Sequence, residues 1–352
     1  MIALRAAAAI LAMALVAAGC GGADGSGAEP ATVTLLTHDS FDVSDSVLRA
    51  FERDSGIRVR LLAAGDAGQL VNRAILSAGN PEGDVLFGID NNLLAAALEH
   101  DVFVPYSPPR LGAVDDVYEL DPEHRVAPVD HGEVCVNFDR DHFEGPGDTR
   151  PPETLAELAD PAFRELLVVE NPATSTPGLA FLLATIAEFG EPAWEGYWRD
   201  LRTNGVLVVD GWNSAYFGEF SGAGGGEGTR PLVVSYATSP VAEVALAEEP
   251  PAAAPTGVLE ASCFRQIEFA GILRGTEHEE AARALIDFLL SRAFQEDIPL
   301  RMFVYPVVDD ATLPEVFEAN AVVVEDPLEL SADEIASGRA AWVERWTDIV
   351  LR

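Results

Sequence analysis

Catalysis needs particular side chains at particular spacings, and this chain supplies few of them. Its six histidines, at 38, 100, 124, 131, 142 and 278, form no His-x-x-x-His pair, and no Cys-x-x-Cys accompanies them, so no zinc site is expected. There is no Gly-x-Ser-x-Gly elbow and no Gly-x-Gly-x-x-Gly after the first strand-like run. All 22 residues of the Lys/Arg class are arginine, so neither a Schiff-base lysine nor a phosphate-loop lysine exists. Carboxylates number 58, too many for any one pair to stand out as an acid–base couple. The expectation is a protein with no catalytic residues, no metal and no cofactor.

Binding chemistry is better represented. Asn171-Pro-Ala-Thr-Ser-Thr-Pro-Gly178 precedes a helical pattern, and its Ser175 and Thr176 stand beside Pro177, a residue suited to a helix start. Hydroxyls and free backbone N–H groups at a helix N-terminus make an anion site. Ser235-Tyr-Ala-Thr-Ser-Pro240 repeats the pattern, with Tyr236 ending a strand and Thr238 and Ser239 in capping positions. Two ordinary caps would look the same. Trp212 lies in a loop after a strand, where an indole face can stack on a ligand or simply pack. His38 and Asp39, Asp66, and Asp90 follow the first three strands, where open α/β sheets place their ligands.

The elements that would position these residues alternate. Strand patterns at 32–36, 57–62 and 84–89 alternate with helical patterns at 44–54, 69–77 and 91–99. Further strands are read at 131–139, 166–170, 205–209, 232–236 and 265–270, and helices at 154–158, 179–189, 195–201 and 277–290. Ser331 to Glu334 has capping-box spacing and opens a last helix. Strand–helix alternation predicts an α/β fold with a largely parallel sheet covered on both faces. The stretch 222–228 is glycine-rich but reads as a surface loop, since no Gly-Lys-Ser/Thr follows.

Residues 1–19 combine a basic tip, a short apolar run and small residues, the parts of a secretory signal. Val16-Ala-Ala-Gly-Cys20 is similar to a bacterial lipobox, which marks Cys20 for lipidation, and 20–30 read as a flexible tether. The expected location is extracytoplasmic, on the outer face of the cell membrane as a lipoprotein. The net charge of −36 repels nucleic acid and anionic lipid and favours cationic ligands, although solubility alone would account for most of it. Cys135 and Cys263 remain to pair or to stay free.

Six segments in order carry a resemblance: THDSF at 37–41, GIDNNLL at 88–94, TSTPGL at 174–179, GWNSAY at 211–216, LVVSYATSP at 232–240 and IPLRMFVYPV at 298–307. Together they resemble the thiamine-binding subunits of bacterial ABC transporters. The resemblance implies a two-lobed periplasmic-binding-protein fold of type II, with 31–127 and 265–308 as lobe 1 and 128–264 and 309–352 as lobe 2. It implies a monomer that captures thiamine or its mono- or diphosphate between the lobes and hands it to a permease and its ATPase. Residue by residue, Asp66 and Ala67 would meet the ligand from one lobe and Ser175 and Thr176 would hold a phosphate. Trp212 would stack on a ring, and Tyr236, Ala237, Thr238 and Ser239 would line the opposite wall. His38, Asp39 and Phe303 complete the set, with His38 where the family commonly has tyrosine and Phe303 where tryptophan is expected. Ala242 fills a third position that the family can give to tyrosine, so the aromatic cage is thinner. The same picture puts Cys135 and Cys263 near the hinge, within reach of a disulfide. Rival readings are a receptor for a polyamine, a receptor for ferric ion, or a thiaminase-like enzyme using one of the two cysteines.

Overall fold

The computed structural model describes residues 30–144, 150–223 and 228–352. The signal segment, Cys20, the tether up to residue 29 and residues 224–227 of the glycine-rich stretch lie outside the described residues. The first stretch alternates as its hydrophobic periods require: β1 (Ala31–Thr37), α1 (Asp45–Ser55), β2 (Ile57–Ala63), α2 (Ala67–Leu76), β3 (Val85–Asp90), α3 (Asn91–Glu99) and the short β4 (Phe103–Val104). Gly56 stops α1 at φ 71°, a left-handed position that costs glycine nothing. Next come β5 (Ala127–Asp139), α4 (Arg140–Phe143), β6 (Leu167–Glu170), α5 (Thr176–Phe189), α6 (Ala193–Thr203), β7 (Leu207–Val209), β8 (Leu232–Tyr236) and α7 (Ser239–Ala245). The chain closes with β9 (Thr256–Leu273), α8 (Glu279–Leu289), α9 (Arg292–Gln295), β10 (Tyr305–Pro306), α10 (Glu315–Asn320) and α11 (Ala332–Val350). Ser331 and Glu334 form the expected reciprocal capping box at the start of α11.

The strands form one mixed sheet of order β2-β1-β3-β9-β5-β8-β6-β7, with β4 beside β9 and β10 beside β5. Its two ends are parallel, as the alternation predicts, but its centre is antiparallel: β9 pairs antiparallel with β3 and β5, and β5 with β8. The largely parallel sheet is therefore corrected at the middle. The reason is length. β5 and β9 are read from sequence as 131–139 and 265–270, yet they run 13 and 18 residues and cross from one end of the sheet to the other. Residues 256–264 contain Gly257 and Glu260 and lack a clean alternation, so their strand character comes from pairing with β5. The helix expected at 154–158 is only a 3₁₀ turn, Ala156–Ala159.

Two apolar cores lie on opposite faces. One packs Val33, Leu35 and Phe87 of β1 and β3 under Leu285 and Leu289 of α8 and Phe294 of α9. The larger runs along the other face, from Leu70 of α2 and Leu86 of β3 to Trp198 of α6 and Trp346 of α11. α5 is buried at every position from Thr176 to Ile186, which suits a helix apolar all round. α11 packs on both α6 and α3, so it touches each end of the sheet.

The β5–β9 ladder shifts register twice, between Pro128 and Asp130 and, more widely, near its middle. Pairing passes from Val134–Phe264 to Val136–Leu259, so β5 advances two residues while β9 advances five. Ser262 patches the gap, its Oγ accepting from Val136 N at 2.7 Å and donating to Leu259 O at 2.7 Å. Cys135 and Cys263, both fully buried, form a disulfide across the same break. The bridge closes a sequence separation of 128 residues. The Cys135→Ser/Cys263→Ser double variant is expected to lose about 2–4 kcal/mol in urea unfolding, with wild type falling to the same level under reductant.

Candidate functional site

The cleft opens where the C-terminal ends of β1, β6 and β8 meet the turn before β10. It holds about 260 Å³ and is lined mainly by apolar and aromatic surface. One wall comes from the β6–β8 end of the sheet. Trp212 stacks on Tyr216 with ring centres 5.1 Å apart and meets Tyr236 edge-on at 6.3 Å. Its indole Nε1 donates to Ser235 Oγ at 2.9 Å, and Ser235 in turn bonds Ser239 Oγ at 2.7 Å. Tyr236 donates its hydroxyl to Gln266 Oε1 at 3.2 Å. These bonds hold the aromatic faces in place before any ligand arrives, which limits the ordering cost of stacking.

The opposing wall comes from the β1–β3 end and from 300–304. Phe303 sits at φ 57°, a left-handed conformation unfavourable for an aromatic residue, and its carbonyl accepts from Thr238 Oγ1 at 2.5 Å. Arg301 pairs with Asp42 beside this loop, and both line the cleft.

Asp66 links the two walls. It precedes α2 at one end of the sheet, yet its Oδ1 accepts from Thr176 N at the start of α5, 3.3 Å away. Its Oδ2 accepts from Trp212 N at 3.0 Å. The amino end of α5 thus receives an internal carboxylate. Burial pushes the Asp66 carboxyl above its usual range, against the hydrogen bonds and His38, which pull it down. Nearby, Gln69 N donates to Thr174 O at 3.2 Å. A Cβ at Gly68 would stand 2.6 Å from Thr174 O, so only glycine lets these two segments touch.

Of the residues expected from sequence, His38, Asp66, Ala67, Thr176, Trp212, Tyr236, Ser239 and Phe303 line this one cavity. Four do not reach it. Asp39 is exposed, with its N–H donated to Gly65 O at 2.9 Å. Ser175 is buried behind the wall with its Oγ unpartnered among the described residues. Ala237 packs against the disulfide, and Thr238 spends its hydroxyl on Phe303 O rather than capping α7. The local path of the chain explains this: β8 ends at Tyr236, 237–238 turn the chain, and Ser239 opens α7, so the run 236–239 passes through three backbone conformations and cannot all face one ligand.

Sequence reasoning missed Glu268, Tyr216, Phe217, Asn213, Arg301 and Met302 as lining residues. Asn213 and Tyr216 lie in the 211–216 segment and Arg301 and Met302 in 298–307, but nothing local marks Glu268, a carboxylate inside a long strand. Glu268 is 8% exposed, and its Oε1 lies 3.7 Å from His38 Nε2. Among the described residues no cluster of three or more His, Cys, Asp or Glu could hold a metal ion. The disulfide also leaves neither Cys135 nor Cys263 as a free thiol, which removes the nucleophile that a thiaminase-like enzyme would need.

The cleft therefore joins rigid aromatic faces to two buried carboxylates, Asp66 and Glu268. Residues 80–326 match the family model of bacterial extracellular solute-binding proteins. The chain belongs to that family. It is 31% identical over 327 residues to the thiamine-binding periplasmic protein of Salmonella typhimurium strain LT2, covering 91% of this chain and 94% of that one. A solved periplasmic thiamin binding protein superposes with a TM-score of 0.78 at 29% identity, covering 91% of this chain and 96% of the other. A more distant relative, iron uptake protein A2 of Synechocystis, is 24% identical over 86% of this chain and 86% of its own length. The resemblance read from six segments is borne out, and the chain is an extracytoplasmic binding protein rather than an enzyme.

The Gly68–Thr174 contact is expected to set how closely the ends approach across the cleft. Gly68→Val should hold them apart, giving a larger radius of gyration in small-angle scattering with an unchanged far-ultraviolet dichroism spectrum. A scattering profile identical to wild type would show that this contact does not control closure.

Proposed function

We propose that the protein captures thiamine in this cleft for delivery to an ABC permease and its ATPase. The observation that carries the reading is the pairing of a rigid aromatic wall, Trp212 with Tyr216 and Tyr236, with the buried carboxylates Asp66 and Glu268. Thiamine offers a cationic thiazolium, which aromatic faces and carboxylates attract, and an aminopyrimidine whose amino group can donate to a carboxylate. The similarity to thiamine-binding proteins over nine-tenths of the chain supports the same ligand. A ferric-ion receptor has less support, since the two tyrosines on the wall are held by Glu243 and Gln266, and among the described residues no group of three or more His, Cys, Asp or Glu is arranged to hold a metal ion. A polyamine would leave the stacked wall without a partner ring.

On this reading the β1–β3 end and the β6–β8 end act as lobes. The closed arrangement is favoured because the ligand touches both walls at once, while Asp66 and Thr238 add protein–protein bonds across the cleft. Phosphate esters of thiamine meet a specific obstacle in that arrangement, because Asp66 already occupies the amino end of α5. Lipidation at Cys20 would tether the protein to the outer face of the membrane, with the binding unit carried beyond residue 30. No helix among the described residues is long and apolar enough to cross a membrane.

Titrating the purified protein with thiamine, spermidine and ferric citrate should quench tryptophan fluorescence saturably with thiamine alone. Trp212→Ala should weaken binding by about tenfold or more while the protein stays folded, the value of a lost stacking face. No response to thiamine by fluorescence or calorimetry would overturn the assignment. Asp66→Asn, which removes the charge at the α5 terminus, should raise the affinity for thiamine diphosphate relative to thiamine by roughly tenfold, the worth of relieving one charge–charge conflict. Competition calorimetry checks the ratio.

A further inference from the structure

Three carboxylates stand side by side beneath the cleft on three adjacent strands. Asp90 of β3 and Asp130 of β5 are both cross-strand partners of Glu268 of β9. Direct cross-strand partners share a face, and like charges in that arrangement repel. Asp90 is 0% exposed and Asp130 1%, so water cannot relieve the repulsion. Only Glu268 reaches the cleft, and there it meets His38. The ring is pinned by Ser40 Oγ at 3.0 Å from Nδ1, and apart from Glu268 its buried Nε2 has no partner among the described residues. A side chain at Gly88 would strike the ring at 2.3 Å from Cδ2, so the backbone leaves a slot for it.

We propose that His38 is the titratable cation of the cleft, and that a cationic ligand takes its place against Glu268, so that capture expels protons and strengthens as pH rises. This inference rests on the reading of the cleft as a thiamine site. Burial works to lower the His38 value, but the charge of Glu268 3.7 Å away and the more distant Asp66 and Asp39 outweigh it, and the ring is raised above its ordinary value. Behind it, burial and then Glu268 lift Asp130 far above the carboxylate range, and burial lifts Asp90 to about 7 with Glu268 adding to it. The other groups facing this cluster are Asp66 from the start of α2, Tyr236 from β8, held neutral by burial, and Arg339 from α11 near Asp90. Arg301 of the 300–304 loop is paired with Asp42, and β10 opposes Asp130 with Pro306, which carries no charge. A thiazolium placed beside Glu268 opposes the imidazolium and favours ionised Asp90. Both responses send a proton to bulk water. Because binding releases protons, the sign is fixed: affinity rises with pH across the window set by the raised His38 and by Asp90 near 7.

Isothermal titration calorimetry of the purified protein with thiamine, at about pH 6 and about pH 8 and in two buffers of different ionisation enthalpy, reads both affinity and proton count. Affinity should be roughly three- to tenfold higher at the upper pH, and the buffer-dependent heat should report about half to one proton released. Imidazole NMR of the wild-type protein should show the His38 resonance moving to its neutral position as thiamine is added near pH 7. His38→Gln should still bind saturably with the pH slope flattened, and Asp130→Asn, outside the cleft wall, should keep the slope. Equal wild-type affinity at both pH values, an unmoved His38 resonance, or a full slope in His38→Gln would overturn the exchange while leaving the thiamine reading intact. Absence of any saturable thiamine binding at either pH would instead overturn that reading and this inference with it.

Discussion

The ladder between β5 and β9 joins the two ends of the sheet through strand pairing. Each strand runs the width of the fold, so every β3 bond on one side and every β8 bond on the other is ultimately tied through this pair. The ladder is interrupted where the sheet passes from one end to the other, and a disulfide and one serine hydroxyl restore the connection there. A continuous ladder would make a stiff plate. A break held by a covalent bond keeps the two strands together while sparing local backbone bonds, the kind of place where a small change of twist can be absorbed.

That mechanical arrangement determines what the cleft can be. Its walls are carried by opposite ends of the sheet, so a ligand that touches Trp212 and His38 together spans the break. The contacts already present across it involve small or strained features: Gly68 against Thr174, Phe303 at positive φ receiving Thr238, and Asp66 received by two backbone N–H groups. Each is weak in isolation. Together they define a close approach that a ligand filling about 260 Å³ can reinforce.

Electrostatics acts at two ranges. The net charge of −36 gives the whole surface an attraction for cations but no selectivity, because exposed charges are screened within about 10 Å. Selectivity belongs to the few carboxylates taken out of water. Asp66 and Glu268 face the cavity, and Asp90 and Asp130 crowd Glu268 from behind, so charge in the cleft is coupled to protons in the sheet. A surface carboxylate would have no such coupling.

The α/β class, the strand–helix order of the first hundred residues, the stop at Gly56 and the Ser331 capping box are all determined by the sequence itself, because each depends on neighbours within one or two turns. The same holds for the cleft residues at or just after strand ends, His38, Asp66, Trp212 and Tyr236, since an α/β chain has few other places for them. Tertiary structure alone decided three things. It made the centre of the sheet antiparallel, because β9 from 256 to 264 is a strand only by virtue of β5 beside it. It separated Ser239, which lines the cavity, from Thr238 and Ala237, which do not, because Thr238 is drawn to Phe303 O and Ala237 packs against the disulfide, partners distant in the sequence. And it brought Asp90, Asp130 and Glu268 into one row from positions scattered through the chain, a juxtaposition set by strand pairing that local patterning does not encode.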